Sequence, residues 1–154
     1  MEKKIEALLW SVAFPGFGQL LNKKYVKGIF FVLLEFIVNV QSHFNEIILY
    51  SFHGEIEKAV QHANYQWLLF YPCVYFFAMW DAFKDAGGGR GQFSFLPFVF
   101  SAYFVTIGAI TAPKIKPFGI LMGPVWLGIG AVIPGVIFGL FVKRLTIFFT
   151  RAAE

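Results

Sequence analysis

Five long apolar stretches run along the chain, and short polar segments separate them. They cover residues 5–21, 29–50, 67–83, 93–112 and 118–142. Most of them approach the roughly 20 residues that a helical membrane span requires. They show little of the strict alternation that is typical of membrane strands. The pattern therefore predicts an all-α integral membrane protein, folded as a polytopic helical bundle.

The first apolar stretch differs from the others in length and in continuity. It covers about 17 residues and carries Pro15 and Gly16 near its middle. Proline removes a backbone hydrogen bond and clashes with the preceding helical turn. Freed backbone groups at membrane depth are tolerated only against protein or water. We therefore expect four full spans plus a short broken amino-terminal helix, with five full spans as the alternative.

Composition supports the membrane prediction. The 154 residues are 58% hydrophobic, 20% aromatic and 14% charged, whereas soluble domains carry about 25% charged residues. A globule of this length has too little interior to bury so much apolar surface. The expected solvent for that surface is a bilayer.

The chemistry-bearing residues exclude several classes of protein. Cys73 is the single cysteine, so neither an internal disulfide framework nor a cysteine zinc cluster is expected. The three histidines lack the spacing of a helical metal site. The net charge of +4 comes from basic residues in short runs between apolar segments, where topology signals lie. We expect no catalytic residues, no cofactor, no metal and no nucleic-acid partner.

The 13 lysines and arginines predict an orientation. If the first stretch is re-entrant, ten lie on one side, and Lys58, Lys114 and Lys116 lie on the other. Five full spans with the amino end outside would give eight against five, and the reverse orientation only five against eight. The positive-inside rule favours the re-entrant arrangement. It places the carboxyl terminus in the cytoplasm and residues 42–66 outside.

These segments suggest a domain plan. Residues 1–86 would form a helical-hairpin membrane domain with an extracytoplasmic connection at 42–66. Residues 87–92 are glycine-rich but lack the Gly-Lys-Ser/Thr end of a phosphate loop and follow a helix. We interpret them as a cytoplasmic linker, followed by a carboxyl-terminal transmembrane hairpin at 93–142 and a cytoplasmic tail at 143–154.

The segment around the helix break holds the densest local motif. Proline and glycines let the backbone turn and pass close to a neighbouring helix, which favours a tight hairpin built on Pro15, Gly16, Gly18, Gln19 and Gly28. The alternative is a site for a ligand or for anionic lipid headgroups, because basic residues beside a span are attracted to an anionic leaflet. Its residues would be Lys23, Lys24, Tyr25 and Lys27.

This motif, together with Trp80-Asp81-Ala82, resembles a family of small bacterial membrane proteins with a two-transmembrane-helix domain. The resemblance covers about residues 5–86 and rests on a Pro-Gly-x-Gly-Gln hairpin, an Asn/Tyr turn and a following glycine. The matching positions are Pro15, Gly16, Gly18, Gln19, Asn22, Tyr25 and Gly28. Leu21 stands where such proteins often have a tyrosine. The resemblance implies an architecture and a bacterial cytoplasmic membrane, but no activity.

A polar stripe is predicted on the second helix. Glu35, Asn39, Ser42 and Glu46 recur at steps of four, three and four, which places them on one helix face. A carboxylate inside a span usually faces the bundle interior or a watery cavity. Three hypotheses follow: the stripe holds helices together, it forms a proton or cation path with Glu35 innermost, or Glu35 lies near the headgroups.

Two further packing features are expected. Asp81 and Lys84, three residues apart, could form an ion pair on one helix face and act as a structural clasp. Small residues four apart permit close helix approach, and we expect this role for Gly119 with Gly123 and for Gly135 with Gly139.

The sequence thus predicts a small non-enzymatic membrane protein. We expect a scaffold or accessory subunit that acts through helix packing and through contact with anionic lipid headgroups. Its partner would be another membrane protein or a second copy of the chain. The alternative function is a small transporter or channel that uses the stripe of Glu35 and Asn39.

Overall fold

The computed structural model describes residues 2–152. The all-α prediction is confirmed, since the ordered elements in this range are helices and none is a strand. Met1, in the predicted first domain, and Ala153 and Glu154, in the predicted tail, lie outside the described residues. The helices are α1 (Glu2–Ala13), α2 (Phe17–Leu21), α3 (Tyr25–Ser42), α4 (Phe44–Phe52), α5 (Ile56–His62), α6 (Tyr65–Leu68), α7 (Tyr71–Asp85), α8 (Leu96–Thr111) and α9 (Gly123–Ala152), with a 3-10 turn at Pro117–Gly119.

The prediction of four or five full spans is wrong. Among residues 2–152, two helices are long and apolar enough to cross a membrane, α3 with 18 residues and α9 with 30. The predicted third span is divided between α6 and α7, and α7 has 15 residues. The predicted fourth span is α8, with 16 residues. At 1.5 Å per residue, α7 and α8 reach only about 22–24 Å, which is less than the roughly 30 Å hydrocarbon core.

The second apolar stretch also forms two helices instead of one. His43 ends α3 in the left-handed conformation with φ 60°, and its backbone N–H bonds to the carbonyls of Asn39 and Val40. The chain then turns into α4. The length of an apolar run therefore overestimated the length of the helix, because no glycine or proline marks this helix end.

The helix break predicted at Pro15 and Gly16 is present. Gly16 has φ 102°, a conformation that favours glycine. A Cβ atom at Gly16 would lie 2.6 Å from the carbonyl oxygen of Gly28 in α3. Both the backbone conformation and the close approach therefore require glycine at this corner.

Helix α1 runs beside α7 in the opposite direction. Lys4, near its start, lines the same hollow as Phe83, near the end of α7. The Tyr75 hydroxyl, about one turn after the start of α7, donates to the carbonyl of Val12 near the end of α1. After the break, α2 returns along the chain direction of α7, where Gln19 contacts Ala78. Helix α1 thus runs along more than half of α7, and α2 returns along its carboxyl-terminal half.

The predicted extracytoplasmic connection is helical and packed. Ile47, Ala59, Leu68 and Val125 form a buried cluster that joins α4, α5, α6 and α9. The Trp126 indole Nε1 donates to the carbonyl of Ser51 at 3.2 Å. Residues 42–66 therefore cover the first turns of α9.

Helix α9 packs on α8 through glycines. Gly135 lies against the backbone of Ser101, and Gly139 lies against the backbone of Pro97. The expected pair of Gly119 and Gly123 does not form such a contact. Gly119 lies in the 3-10 turn with open space around its Cα, and Gly123 begins α9 and faces Ile56 of α5. The prediction failed for this pair because α9 begins only after Gly119.

We predict that Gly135→Ala lowers the stability of the protein. The added methyl carbon would lie 2.7 Å from Ser101 Cα, a backbone atom that cannot move aside cheaply. Overpacking of this kind costs about 1–3 kcal/mol in the free energy of unfolding. Thermal unfolding in detergent measures the change. Gly130→Ala is the matched control, since Gly130 is on the same helix with open space around it. Equal stabilities of the two variants would contradict the packing assignment.

Candidate functional site

Polar side chains of the amino-terminal hairpin converge on the carboxyl-terminal half of α7. The Gln19 Nε2 atom donates to the carbonyl of Ala78 at 2.8 Å and to Asp81 Oδ2 at 3.1 Å. The Asn22 Nδ2 atom donates to the carbonyl of Ala82 at 2.8 Å. We call Gln19, Asn22, Lys27, Asp81 and Asp85 the polar junction.

A cation from α3 completes the polar junction. The Lys27 Nζ atom lies 2.7 Å from Asp81 Oδ1 and 3.0 Å from Asp85 Oδ2. Lys27 lies in the first turn of α3, and the two carboxylates lie in the last turns of α7. Each of these charges is unfavourable at its own helix end. Pairing them offsets both unfavourable placements and ties the two helices together.

The expected ion pair between Asp81 and Lys84 is not among those formed by residues 2–152, in which Asp81 pairs with Lys27. Lys84 is exposed. A three-residue spacing identifies neighbours on the same helix, but it gives no information about a cation on another helix. The clasp is therefore a contact between α3 and α7.

The predicted hairpin residues are packing positions. Pro15, Gly16, Gly18, Gln19 and Gly28 are all buried. A side chain at Gly18 would collide with α1 and α7, and one at Gly28 would collide with α2. Their identities follow from the close approach of four helices at one point.

The predicted headgroup residues do not act as one group. Lys23, Lys24 and Tyr25 are exposed around the turn between α2 and α3, and Lys23 has a positive φ of 62°. Lys27 is held by the two carboxylates of the polar junction. Three of the four residues thus remain free to meet a headgroup.

Glu35 forms a second buried polar contact. Its residue exposure is 3%, and its Oε1 atom accepts a hydrogen bond from the Tyr71 hydroxyl at 2.5 Å. Tyr71 was not singled out from the sequence, because it lies 36 positions later in an aromatic-rich stretch. A carboxylate inside a span calls for a donor, and the tyrosines of the third stretch were the available signal.

The predicted polar stripe is interrupted. Ser42 is buried and donates to the carbonyl of Asn39, whose own side chain donates to Asn45 Oδ1 at 3.2 Å. Glu46 lies beyond the turn at His43, exposed on α4. The expectation that Glu46 shares a helix face with Glu35 is wrong, because α3 ends at Ser42.

An apolar groove of about 320 Å³ opens beside Tyr71. Its walls come from α4, α6, α7, α8 and α9, and none of its lining residues is charged. The groove can therefore offer mainly apolar contacts, because the hydroxyls of Tyr71 and Tyr75 already donate to Glu35 and to the carbonyl of Val12. No cluster of histidine, cysteine, aspartate or glutamate among residues 2–152 is arranged to hold a metal ion.

No protein-family model, curated protein or solved structure matches this chain. The resemblance to the two-transmembrane-helix family therefore rests on the hairpin motif and on Trp80-Asp81-Ala82. Gln19 and Asn22 of the hairpin motif donate to the carbonyls of Ala78 and Ala82 on α7, so the hairpin and the segment around Asp81 contact each other in this chain.

We predict that Lys27 and Asp81 are energetically coupled. A double-mutant cycle with Lys27→Gln and Asp81→Asn should give a coupling free energy of about 0.2–1 kcal/mol, the range for exposed ion pairs. The side chains of Lys27 and Asp81 are 46% and 17% exposed, so the coupling should fall as salt is added. The same cycle with Lys84→Gln in place of Lys27→Gln is the control, and an equal coupling there would refute the assigned clasp.

We also predict that Tyr71→Phe destabilises the fold. The change removes the hydroxyl that donates to Glu35 and leaves a buried carboxylate oxygen unpaired. Such a loss costs about 1–3 kcal/mol. Tyr103→Phe is the control, since Tyr103 is exposed on α8 and surface changes alter stability by only about 0.5 kcal/mol. Chemical unfolding of both variants in detergent compares them. Equal midpoints would show that the contact contributes no stability.

Proposed function

We propose that this chain is a small non-enzymatic membrane scaffold or accessory subunit that docks exposed helix faces against a partner. One observation carries the proposal: few residues of the two long apolar helices are buried by the rest of the chain. The buried share is 28% of the residues of α3 and 22% of the residues in the most apolar part of α9. Most of the exposed side chains of α3 are apolar, namely Val26, Ile29, Phe30, Leu33, Phe36, Ile37 and Val40. The exposed Tyr25, Lys27 and Gln41 lie near the two ends of the helix.

A bilayer accounts for such faces better than water does. Contiguous apolar surface of this extent on a soluble protein marks an interaction site or a membrane contact. In α9, the 20 steps from Gly123 to Lys143 rise about 30 Å, which matches the hydrocarbon thickness of a bilayer. Lys143 and Arg144 then lie where a headgroup region begins. Their basic character supports a cytoplasmic carboxyl terminus, and the family resemblance supports a bacterial cytoplasmic membrane and a multi-pass protein.

The internal polar contacts support a packing role over catalysis or transport. Gln19, Lys27 and Asp81 bond to one another or to backbone groups between helices. Glu35 is held by Tyr71, and Glu46 lies on another helix. A transporter that uses the predicted stripe would need a continuous polar row, and the end of α3 at Ser42 interrupts it. The scaffold is therefore the better-supported function.

Site-specific photo-crosslinking in native membranes tests the proposal. We expect a crosslinker at Phe36 on α3, or at Ile137 on α9, to give a discrete protein adduct, since both side chains are exposed on span faces. The mass of the adduct distinguishes a second copy of the chain from another protein. Phe118, fully exposed in the 3-10 turn, is the control and should give no defined adduct. Lipid adducts alone from both faces would refute the scaffold function.

A further inference from the structure

The glycine-rich segment after α7 is an ordered loop. Gly87 N–H bonds to the carbonyl of Lys84 at 2.9 Å, and Gly88 N–H bonds to the carbonyl of Phe83 at 2.8 Å. With Gly87 at φ 84°, this is the glycine-terminated end that many helices share. The Ser94 hydroxyl contacts the carbonyls of Gly89 and Gly91 at 2.6 and 2.8 Å.

Aromatic rings support this loop from behind. A Cβ atom at Gly88 would lie 2.6 Å from the Phe83 ring, and one at Gly89 would collide with the Trp80 ring. The backbone therefore lies directly on the two rings, and no side chain could be placed between them. Residues 87–91 are a built surface that exposes backbone where a ligand can approach closely.

Two adjoining hollows flank the loop, and together we call them the basic pocket. The first, of about 410 Å³, lies between the loop, Lys4 of α1 and Lys143 of α9. The second, of about 340 Å³, lies between Gly91, Lys143 and Arg151. Lys143 and Gly91 line both hollows. Three separate parts of the chain therefore meet at the basic pocket.

The charged side chains that line the basic pocket are all positive. Its lining includes Lys4, Arg90, Lys143 and Arg151 and contains no aspartate or glutamate. None of these four cations belongs to an ion pair within residues 2–152. The lysines that pair with a carboxylate in this range are Lys27 and Lys58. A concave surface lined by charges of one sign concentrates counter-ions.

We propose that the basic pocket binds the phosphate group of an anionic ligand, supplied by the headgroup of a membrane phospholipid. Arginine and lysine are the side chains that bind phosphate, and Phe83 and Ile147 add apolar contacts at the edges of the hollows. The membrane source rests on the proposed function, which places Lys143 at headgroup depth. This site is separate from Lys23, Lys24 and Tyr25, which lie on the turn between α2 and α3.

Native mass spectrometry of the full chain in nanodiscs tests the proposal. The nanodiscs contain phosphatidylglycerol and phosphatidylcholine in equal amounts, and the retained lipids are counted. We expect the wild type to retain phosphatidylglycerol and the Arg90→Gln/Lys143→Gln variant to lose about a hundredfold in preference, since a direct hydrogen bond to a charged group contributes about tenfold for each residue removed.

A matched control separates the pocket from general surface charge. Lys114→Gln/Lys116→Gln removes the same charge from the exposed turn between α8 and α9, and this variant should keep the preference. Ser94→Ala keeps every charge but frees the loop carbonyls of Gly89 and Gly91, so we expect about a fivefold loss. Equal preference in all four proteins, or equal losses in the two charge variants, would overturn the proposal.

A second arm identifies the source of the phosphate. Inorganic phosphate is titrated into the chain in phosphatidylcholine nanodiscs, and the Tm is followed, because a ligand that binds the folded state raises it. A rise in Tm in the wild type that is absent in Arg90→Gln/Lys143→Gln, without retained phosphatidylglycerol, would assign the pocket to a soluble phosphate compound.

A chain that enters the membrane but responds to neither ligand refutes the proposed pocket and leaves the proposed function standing. A chain that stays out of the membrane refutes the proposed function, and the titration then tests the pocket in buffer.

Discussion

The burial of the Gln19 amide between α2 and α7 is the contact on which the rest of the structure depends. Its Nε2 atom satisfies the carbonyl of Ala78 and one oxygen of Asp81, and its side chain is fully buried. The Gln19 Oε1 atom is buried without a partner among residues 2–152, but the two Nε2 hydrogen bonds, worth about 0.5–1.5 kcal/mol each, form only while α2 lies on α7. The amide reaches α7 only because the chain turns at Pro15 and Gly16, which explains why the break and the glutamine belong to one motif.

Helix α7, once fixed by this contact, positions the other polar groups. Its first residue, Tyr71, meets Glu35 on α3, and its last, Asp85, meets Lys27 at the other end of the same helix face. Two contacts at opposite ends of α7, one with the first turn of α3 and one with its middle, thus set the direction of α3 against α7. The loop that follows α7 begins from a fixed point, which allows Arg90 to lie near Lys143 of α9.

The backbone properties of individual residues predicted much of this arrangement. The features that were not predicted depend on contacts between residues that are far apart in the sequence. The break at Pro15, the buried glycines of the hairpin and the close approach at Gly135 follow from the backbone properties of proline and glycine. The end of α3 at His43 has no such signal, so the place of Glu46 was wrong. The number of spans was wrong because the third and fourth stretches form helices of only 15 and 16 residues. The partners Lys27 for Asp81 and Tyr71 for Glu35 lie 54 and 36 positions away, beyond the reach of helix periodicity.

The path of the first stretch determines which basic residues lie on the same side of α7. Helix α1 runs from the level of Phe83 to that of Tyr75 on α7, and eight residues of helix correspond to about 12 Å. Because α2 then returns toward Asp81, Lys4 and Lys27 end on the side of α7 that also holds Arg90 and Lys143. The break at Pro15 is therefore buried within the protein, where neighbouring helices can cover the backbone groups that proline frees.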